Sequence, residues 1–366
     1  MSNAPIDFQV NRDDFHDTRF VPGAPIDNLA DGQVLLKVDR FALTSNNISY
    51  AAAGDMLNYW GFFPGPDRWG RIPAMGFGDV LASRHADVAE GARLFGFFPM
   101  SRHLVVDAEP TGSGLVDGVA HRAEHAPVYR TYNYTDRDAL YDDDREDAIM
   151  LLRGLFMTSF LVDDLYGDED FYGAEASIVT SASSKTSIAL GHLLAARGRG
   201  PVIGLTSARN RDFVASLGCY DEVVLYDELD RLTSLVPASG AVMTDMAGNA
   251  QVRQGVHERL LDQLKYSCTV GATHWEEGGA TGDTLPGPKP EFFFAPGRIV
   301  KRTQDWGGAG LQERMGGAWR NFAAWSDQWM KIQHHVGEDA LAKTYEEVLS
   351  GKLDPSDGHV MTLWND

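Results

Sequence analysis

Cysteine is almost missing: the 366 residues include two, Cys219 and Cys268, far apart in sequence. Two thiols can neither staple a chain of this size nor build a four-cysteine zinc site. Long apolar runs are also missing. The longest, residues 149–162, is interrupted by Arg153 and followed by Asp163 and Asp164, too short and too charged to span a bilayer. The opening Met1-Ser-Asn-Ala-Pro-Ile-Asp7 has no basic region and no apolar stretch behind it, so no secretory leader is expected and the reading is a soluble, cytoplasmic protein. Positive charge is scarce. Lys and Arg number 32 against 52 Asp and Glu, a formal charge of −20. Such a surface repels phosphate backbones and anionic lipid, which sets aside nucleic acid and membrane surfaces as partners, although a local basic pocket can still take one small anion. What is present is ordinary globular composition, 43% hydrophobic and 23% charged. At about 150 residues per domain, the length points to two or three domains.

The first 130 residues are rich in strands and turns. Residues 34–43 have the branched, partly alternating pattern of a strand, and shorter runs follow at 79–83, 93–97 and 103–106. Gly and Pro clusters at 61–66 and 70–78 separate them, which predicts a barrel or an open sandwich. An acidic connection, 136–147, leads into apolar residues at helical spacing up to 166. The rhythm then changes. Short apolar strands at 176–180, 201–206, 222–225, 241–245 and 267–271 alternate with helices at 185–197, 210–217 and 251–264. Fully apolar strands alternating with helices predict a parallel, doubly wound nucleotide-binding sheet over 148–300. The tail holds a mixed stretch at 311–331, a helix at 338–349 and a final strand at 358–364, and 301–366 is expected to fold back onto the first domain, 1–147.

The first strand–helix junction reads Ile178-Val-Thr-Ser-Ala-Ser-Ser-Lys-Thr-Ser187. Small residues let a backbone approach a pyrophosphate, and a helix N-terminus offers unpaired N–H groups and a positive dipole end. The usual Gly-x-Gly-x-x-Gly fingerprint is absent, and hydroxyls stand in place of the glycines. Ser181, Ala182, Ser183, Ser184, Lys185 and Thr186 are thus candidates for holding a dinucleotide, against the plainer reading of an N-cap before an amphipathic helix. A Walker A loop is excluded because no glycine flanks Lys185-Thr186. The second strand ends in Gly204-Leu-Thr-Ser-Ala-Arg-Asn-Arg211, with no acidic residue for a ribose 2′-hydroxyl. Ser207, Arg209 and Arg211 could instead hold a 2′-phosphate, which favours NADP(H) over NAD(H), the alternative being a solvated helix start. At the end of the fifth strand, Gly271 and Thr273 join the cofactor candidates and His274 is a candidate acid or a merely solvated residue.

In this order the motifs resemble the medium-chain dehydrogenase/reductase superfamily, most nearly its zinc-free quinone oxidoreductase branch. The resemblance rests on 34–54, on Pro73-Ala-Met-Gly-Phe-Gly-Asp-Val80, on Gly91-Ala-Arg-Leu-Phe-Gly96, on Leu217-Gly-Cys-Tyr-Asp-Glu-Val223 and on the ending 349–363. The Ser-Ala-Ser-Ser-Lys-Thr turn together with Phe292-Phe-Phe-Ala-Pro296 is similar to the DUF2855 family. The resemblance implies an N-terminal β-rich, GroES-like catalytic domain plus a Rossmann-type doubly wound parallel sheet domain. It also implies a homodimer that pairs sheet edges, for which 291–295 is a candidate strand, a buried core strand being the other reading. Zinc is not expected: the segment after the first core strand is Leu43-Thr-Ser-Asn-Asn-Ile-Ser49, Asp79 has no His before it, and the four-cysteine lobe of the zinc enzymes is missing.

If NADPH binds, the expected reaction delivers hydride to a moderately apolar carbonyl or activated alkene, with protein groups polarising the acceptor. Asn46, Asn47 and Tyr50 fall where the related reductases place substrate-facing polar residues. The bland alternative is an Asn-Asn turn with Tyr50 as part of the core. The aromatic loop Asp55-Met-Leu-Asn-Tyr-Trp-Gly-Phe-Phe-Pro64 is either a pocket wall, with Tyr59 and Arg68 best placed to touch a polar substrate group, or a satellite cluster of the core. Two rival functions stay open, a non-redox enzyme such as a lyase and a nucleotide-binding sensor on the same scaffold.

Overall fold

Apolar residues at 34, 35, 36, 38, 41 and 43 build the strand Gln33–Leu43, every one of them buried. In the computed structural model, which describes residues 4–246, 248–270 and 285–365, this strand is the seam of the first of two compact units, Met1–Leu151 with Met330–Asp366. Its eight-stranded sheet runs Lys331–Val336, Asp357–Thr362, Gln33–Leu43, Pro73–Ser83, Arg93–Pro99, Thr131–Tyr134, Gly114–Asp117, His103–Pro110. A further pairing of Gln33–Leu43 with His103–Pro110 closes the last six of these strands into a barrel, which decides between barrel and open sandwich. The pairings are antiparallel except between Lys331–Val336 and Asp357–Thr362. The barrel core is dense in aromatic and branched residues, among them Phe41, Phe62, Phe98 and Tyr132.

The second unit, Leu152–Trp329, contains a six-stranded parallel sheet. Its order is Glu222–Leu225, Val202–Thr206, Ala176–Val179, Ala241–Asp245, Leu264–Thr269, Glu291–Phe292. The first strand in sequence therefore lies centrally, beside the fourth, and the winding reverses between them. That switch point is where open α/β sheets gather ligands, outside the carboxyl ends of the strands. Ile178, Ile203, Leu205, Val224 and Met243 fill the strand centres and are buried.

The residues 301–329, expected with the first domain, belong to this second unit. They continue the helix Ala295–Ser326, broken at Gly307 by a φ of 73° and ψ of 160°. Arg298 and Arg302 on that helix both bond Asp164 of the helix Gly154–Asp168, through Nε at 2.6 and 2.7 Å. Phe156 stacks on Phe322 at 5.2 Å and meets Trp319 edge-on. A buried double ion pair plus an aromatic contact fixes the helix to its own unit. Residues 291–295, expected as one strand, give the two-residue strand Glu291–Phe292 before the helix begins.

Candidate functional site

The strand Ala176–Val179 delivers the chain into the serine-rich turn at its carboxyl end. Ser181 takes the left-handed backbone conformation, φ 49°, that a glycine would normally occupy. That conformation costs a side-chain-bearing residue about 1–2 kcal/mol. Ser184 caps the helix Lys185–Arg197: its Oγ accepts from the Ser187 amide and donates to Ser187 Oγ, which donates in turn to Thr180 O at 2.8 Å. The Ala182 amide bonds Leu205 O, tying the turn to the second strand.

Tyr220 supports the turn from below. Its hydroxyl reaches the carbonyls of Ala182 and Ser187 at 3.2 and 2.8 Å. Room for the ring is made by Gly191 and Gly204, where an added Cβ would stand 2.8 and 2.9 Å from it. Burial pushes the Tyr220 phenol well up, so it serves as a fixed donor. Beside the turn, Asn210 Nδ2 donates to Ser183 Oγ at 2.9 Å and links the loop after the second strand to the first. That second loop presents Ser207 half-buried, with Arg209 and Arg211 exposed. On the other side, Thr180 Oγ1 donates to buried Asp245 at 2.9 Å and accepts from the Met246 amide, bridging the carboxyl ends of the first and fourth strands. Ser181, Ser183, Ser184, Lys185 and Thr186 are half-buried and Ala182 is buried, so one turn collects these six candidates, with Ser207 and Arg209 on the loop tied to it. Thr180, Ser187, Asn210 and Tyr220 were not singled out by sequence. Their parts depend on pairings up to 66 residues apart, although Thr180 and Ser187 lay within the quoted motif. Gly271, Thr273 and His274 lie outside the described residues.

In the first unit the four candidates divide. Asn47 is buried and its amide is spent at both ends: Oδ1 accepts from the Thr44 amide at 2.6 Å, and Nδ2 donates to Pro73 O at 2.8 Å. It holds the start of the helix Ser45–Ala52 against the strand Pro73–Ser83. Burial and these two bonds give Asn47 a positioning role at the helix start. Asn46 is half-buried and stands one helical turn before Tyr50 on the helix Ser45–Ala52. Tyr50 and Tyr59 meet edge-on at 4.9 Å, and Tyr59 is joined by Tyr129 at 5.9 Å, with Phe62 and Phe97 behind them. Desolvation, then the neighbouring Tyr129, pushes both Tyr50 and Tyr59 phenols far up. Both therefore remain protonated hydrogen-bond donors across the physiological range.

The aromatic loop splits likewise. Trp60, Phe62 and Phe63 belong to the main core of the unit rather than to a satellite cluster, whereas Tyr59 keeps a partly exposed edge. Arg68 is exposed. Tyr129 and His125 were not expected here. They come from the segment between Gly114–Asp117 and Thr131–Tyr134, anchored by fully buried Arg122, which bonds Asp117 and the Tyr132 hydroxyl at 2.9 and 3.0 Å and also the Tyr129 carbonyl. Burial, the largest cause, pushes Tyr132 up to about 12.

Among the described residues, the one group of three acidic, His or Cys side chains close enough to share an ion is the exposed Asp142, Asp143 and Asp144. No described helix is long and apolar enough to cross a membrane. The family model described as protein of unknown function (DUF2855) matches residues 41–354. No curated protein matches the sequence. Among solved structures, the chain is similar to CurA from Vibrio vulnificus, at 15% identity, TM-score 0.56 and 99% coverage of both chains. It is also similar to the NADPH complex of that protein (13%, 0.55, 95% of both chains) and to the quinone oxidoreductase from Coxiella burnetii (14%, 0.53, 98% of both). At these identities the likeness establishes the fold, a GroES-like barrel unit with a Rossmann-type unit.

Proposed function

The chain belongs to the DUF2855 family, and from that membership and the fold it has in common with solved reductases we propose a zinc-independent, NADPH-dependent oxidoreductase acting on a moderately apolar carbonyl or activated alkene, of enone or quinone type. The supporting observation is the serine-rich turn: a left-handed Ser181, a capped helix start and a neighbouring loop without an acidic residue, all at the switch point of a parallel sheet. Ser181, Ala182, Ser183, Ser184 and Thr186 would hold the pyrophosphate with amide and hydroxyl donors, Lys185 adding charge. Ser207 and Arg209, with Arg211, would take the 2′-phosphate. The carboxylate that would repel that phosphate is missing from 207–211. Gly271 and Thr273 are further candidates beside the nicotinamide.

NADPH, when bound, supplies the hydride. The chain's own task is to polarise the acceptor and deliver a proton. Tyr50 and Tyr59 suit it, being desolvated phenols that stay protonated, with Asn46 orienting Tyr50. Asn47 positions the helix that carries Tyr50.

Titration of the nucleotide-free protein with NADPH and NADH, followed by nucleotide fluorescence, tests the reading. The expected result is saturable NADPH binding, looser NADH binding, and a loss of about tenfold or more in NADPH affinity for Lys185→Ala. Absence of binding by either nucleotide would remove the cofactor and the reductase with it.

We also propose a homodimer through the sheet edge at Glu291–Phe292. Phe292 and Phe294 there are 48% and 63% exposed, with Val300 exposed nearby. Phe294→Glu should halve the mass seen by sedimentation equilibrium. A wild-type monomer would discard this edge as an interface.

A further inference from the structure

The edge strand Lys331–Val336, its neighbour Asp357–Thr362 and the strand Gln33–Leu43 line a pocket of about 230 Å³, with Trp364 at its end. Every lining residue belongs to the first unit, and none is among the candidates for nucleotide or hydride chemistry. His334 and Val336 are the cross-strand partners of Val360 and Thr362, so these four side chains share one face of the sheet. Drug-sized ligands occupy about 300–1,000 Å³, so this hollow is a place for one small molecule.

Two cations line it, and neither has spent its N–H groups. Half-buried Lys37 stands opposite Asp79 in the barrel ladder and two residues before Asp39, the carboxylates it would ordinarily pair with. Arg93 takes both, at 2.8 Å each, and Arg40 Nε takes Asp39 as well, at 3.0 Å. Lys37 is left without an ion pair or hydrogen bond among the described residues, its Nζ 4.8 Å from the centre of the Trp364 ring. The Nη atoms of Arg40 come only within 3.5 Å of Glu146 and 3.6 Å of Asp147, long for hydrogen bonds. Those carboxylates already accept from Arg93 at 2.6 Å and from His334 at 2.7 Å.

The remaining polar groups are committed to the protein. Trp364 Nε1 donates to Val38 O at 2.7 Å, its amide donates to Thr362 Oγ1 at 3.2 Å, and Thr362 Oγ1 donates to Asp39 O at 2.7 Å. These bonds fix the indole. The pocket thus offers an immobile aromatic wall, apolar Val360 and the uncommitted donors of two cations. In a chain of net charge −20, a cation without a counter-ion beside a preformed hollow selects its guest by sign.

We propose that this pocket is a binding site for a small aromatic carboxylate, the carboxylate accepting from Lys37 Nζ and Arg40 Nη and the ring lying against Trp364 and Val360. A monoanion suits it better than a phosphate dianion, because Asp39, Glu146 and Asp147 stand beside Arg40 and repel a second charge. A ring of the same shape without charge forfeits the charge-assisted bonds.

Isothermal titration of the full chain with benzoate, with benzyl alcohol and with inorganic phosphate, at constant ionic strength, tests the site. Benzoate is expected to saturate and to bind about tenfold or more tightly than either of the others. The Trp364 indole N–H resonance, assigned by its loss in Trp364→Phe, should move in the same titration with the same dissociation constant, which locates the ligand. Lys37→Met keeps the stem and removes the charge; it should weaken benzoate about tenfold or more and leave benzyl alcohol unchanged. Lys37→Arg should keep most of the affinity. Lys343→Met, at an exposed lysine of the helix Glu338–Leu349, removes the same charge from the chain and should leave benzoate binding as it was. No saturation, equal affinities for benzoate and benzyl alcohol, tighter binding of phosphate, an unmoved Trp364 signal, or wild-type affinity in Lys37→Met would each overturn the proposal. No nucleotide enters the titration, so its outcome is separate from that of the NADPH reading.

Discussion

Ser181 shows what one backbone angle can decide. Its φ of 49° lies where only glycine sits without penalty, at the position where a dinucleotide turn must reverse sharply. Glycine would relieve about 1–2 kcal/mol of strain and give back part of it as extra freedom of the unfolded chain. Ser181→Gly should therefore raise stability by about 0.5–1 kcal/mol, and Ser181→Val, β-branched and unable to relax there, should lower it by about 1–2 kcal/mol. Urea midpoints of the two variants measure both signs, and a destabilised Ser181→Gly would mean that the hydroxyl contributes more than the strain costs. The same residue explains how far the site could be read in advance. The order of residue types at 178–187 located the turn and its six candidates, since small residues between a strand and a helix leave few other options. That hydroxyl residues replace glycines here was legible, but not that Ser181 is the one to take the left-handed conformation, because the residue types alone do not say which position carries the positive φ. His125 was hidden for a different reason: its ring bonds the carbonyl of Asn58, 67 residues away, and nothing local marks a loop histidine as packing beside the aromatic cluster.

At the level of elements, two helices depend on one cluster of charge. Asp168 at the end of Gly154–Asp168 accepts from Arg298 and Arg302 of Ala295–Ser326, and these bonds, that with Arg302 foremost, pull its carboxyl down to about 2. An unfolded aspartate titrates near 4. The folded value is the lower one, so this stabilisation is present above about pH 4 and is lost as pH falls through about 2. Chemical denaturation between pH 5 and pH 2 should show wild type losing stability over that window, and Asp168→Asn, less stable at pH 5, should lose less. Parallel curves would place the acid sensitivity elsewhere. The same long helix contains Gly307, whose φ of 73° and ψ of 160° belong to a region essentially reserved for glycine. Gly307→Ala should cost about 1–3 kcal/mol, whereas Gly308→Ala, with open space around its Cβ position, should gain about 0.5–1 kcal/mol of helix propensity. Thermal unfolding of the pair distinguishes a required break from an incidental glycine. These residues are also why the helix was not read from sequence. Gly307, Gly308 and Gly310 interrupt the pattern as a loop would, while the contacts that enforce the helix span more than 130 residues. Lys185–Arg197, uninterrupted and capped by Ser184, was legible from end to end. The barrel was legible as strands, but its closure by Gln33–Leu43 on His103–Pro110 is a pairing that no local pattern encodes.

The whole molecule sets the conditions under which the proposed site must work. Each unit has its own apolar core, while the net charge of −20 belongs to the entire chain. A dinucleotide phosphate is a polyanion approaching a polyanion, and the cations near the turn that would attract it include Lys185, Arg209 and Arg211. The two effects have different ranges. At 0.01 M salt the screening length is about 30 Å and the repulsion of distant carboxylates reaches the incoming ligand; at 0.15 M it is about 8 Å and mainly the nearby cations are felt. The association rate of NADPH should therefore rise as salt increases from 10 to 150 mM, the reverse of electrostatically steered binding to a basic protein. Arg209→Glu should lower the rate at every salt concentration and keep the upward slope, because it removes local attraction and leaves the distant field intact. Stopped-flow nucleotide fluorescence measures both. A rate that falls steadily with salt would mean that the cations around the turn, rather than the acidic surface, govern approach, and that the field of the whole chain does not reach the site.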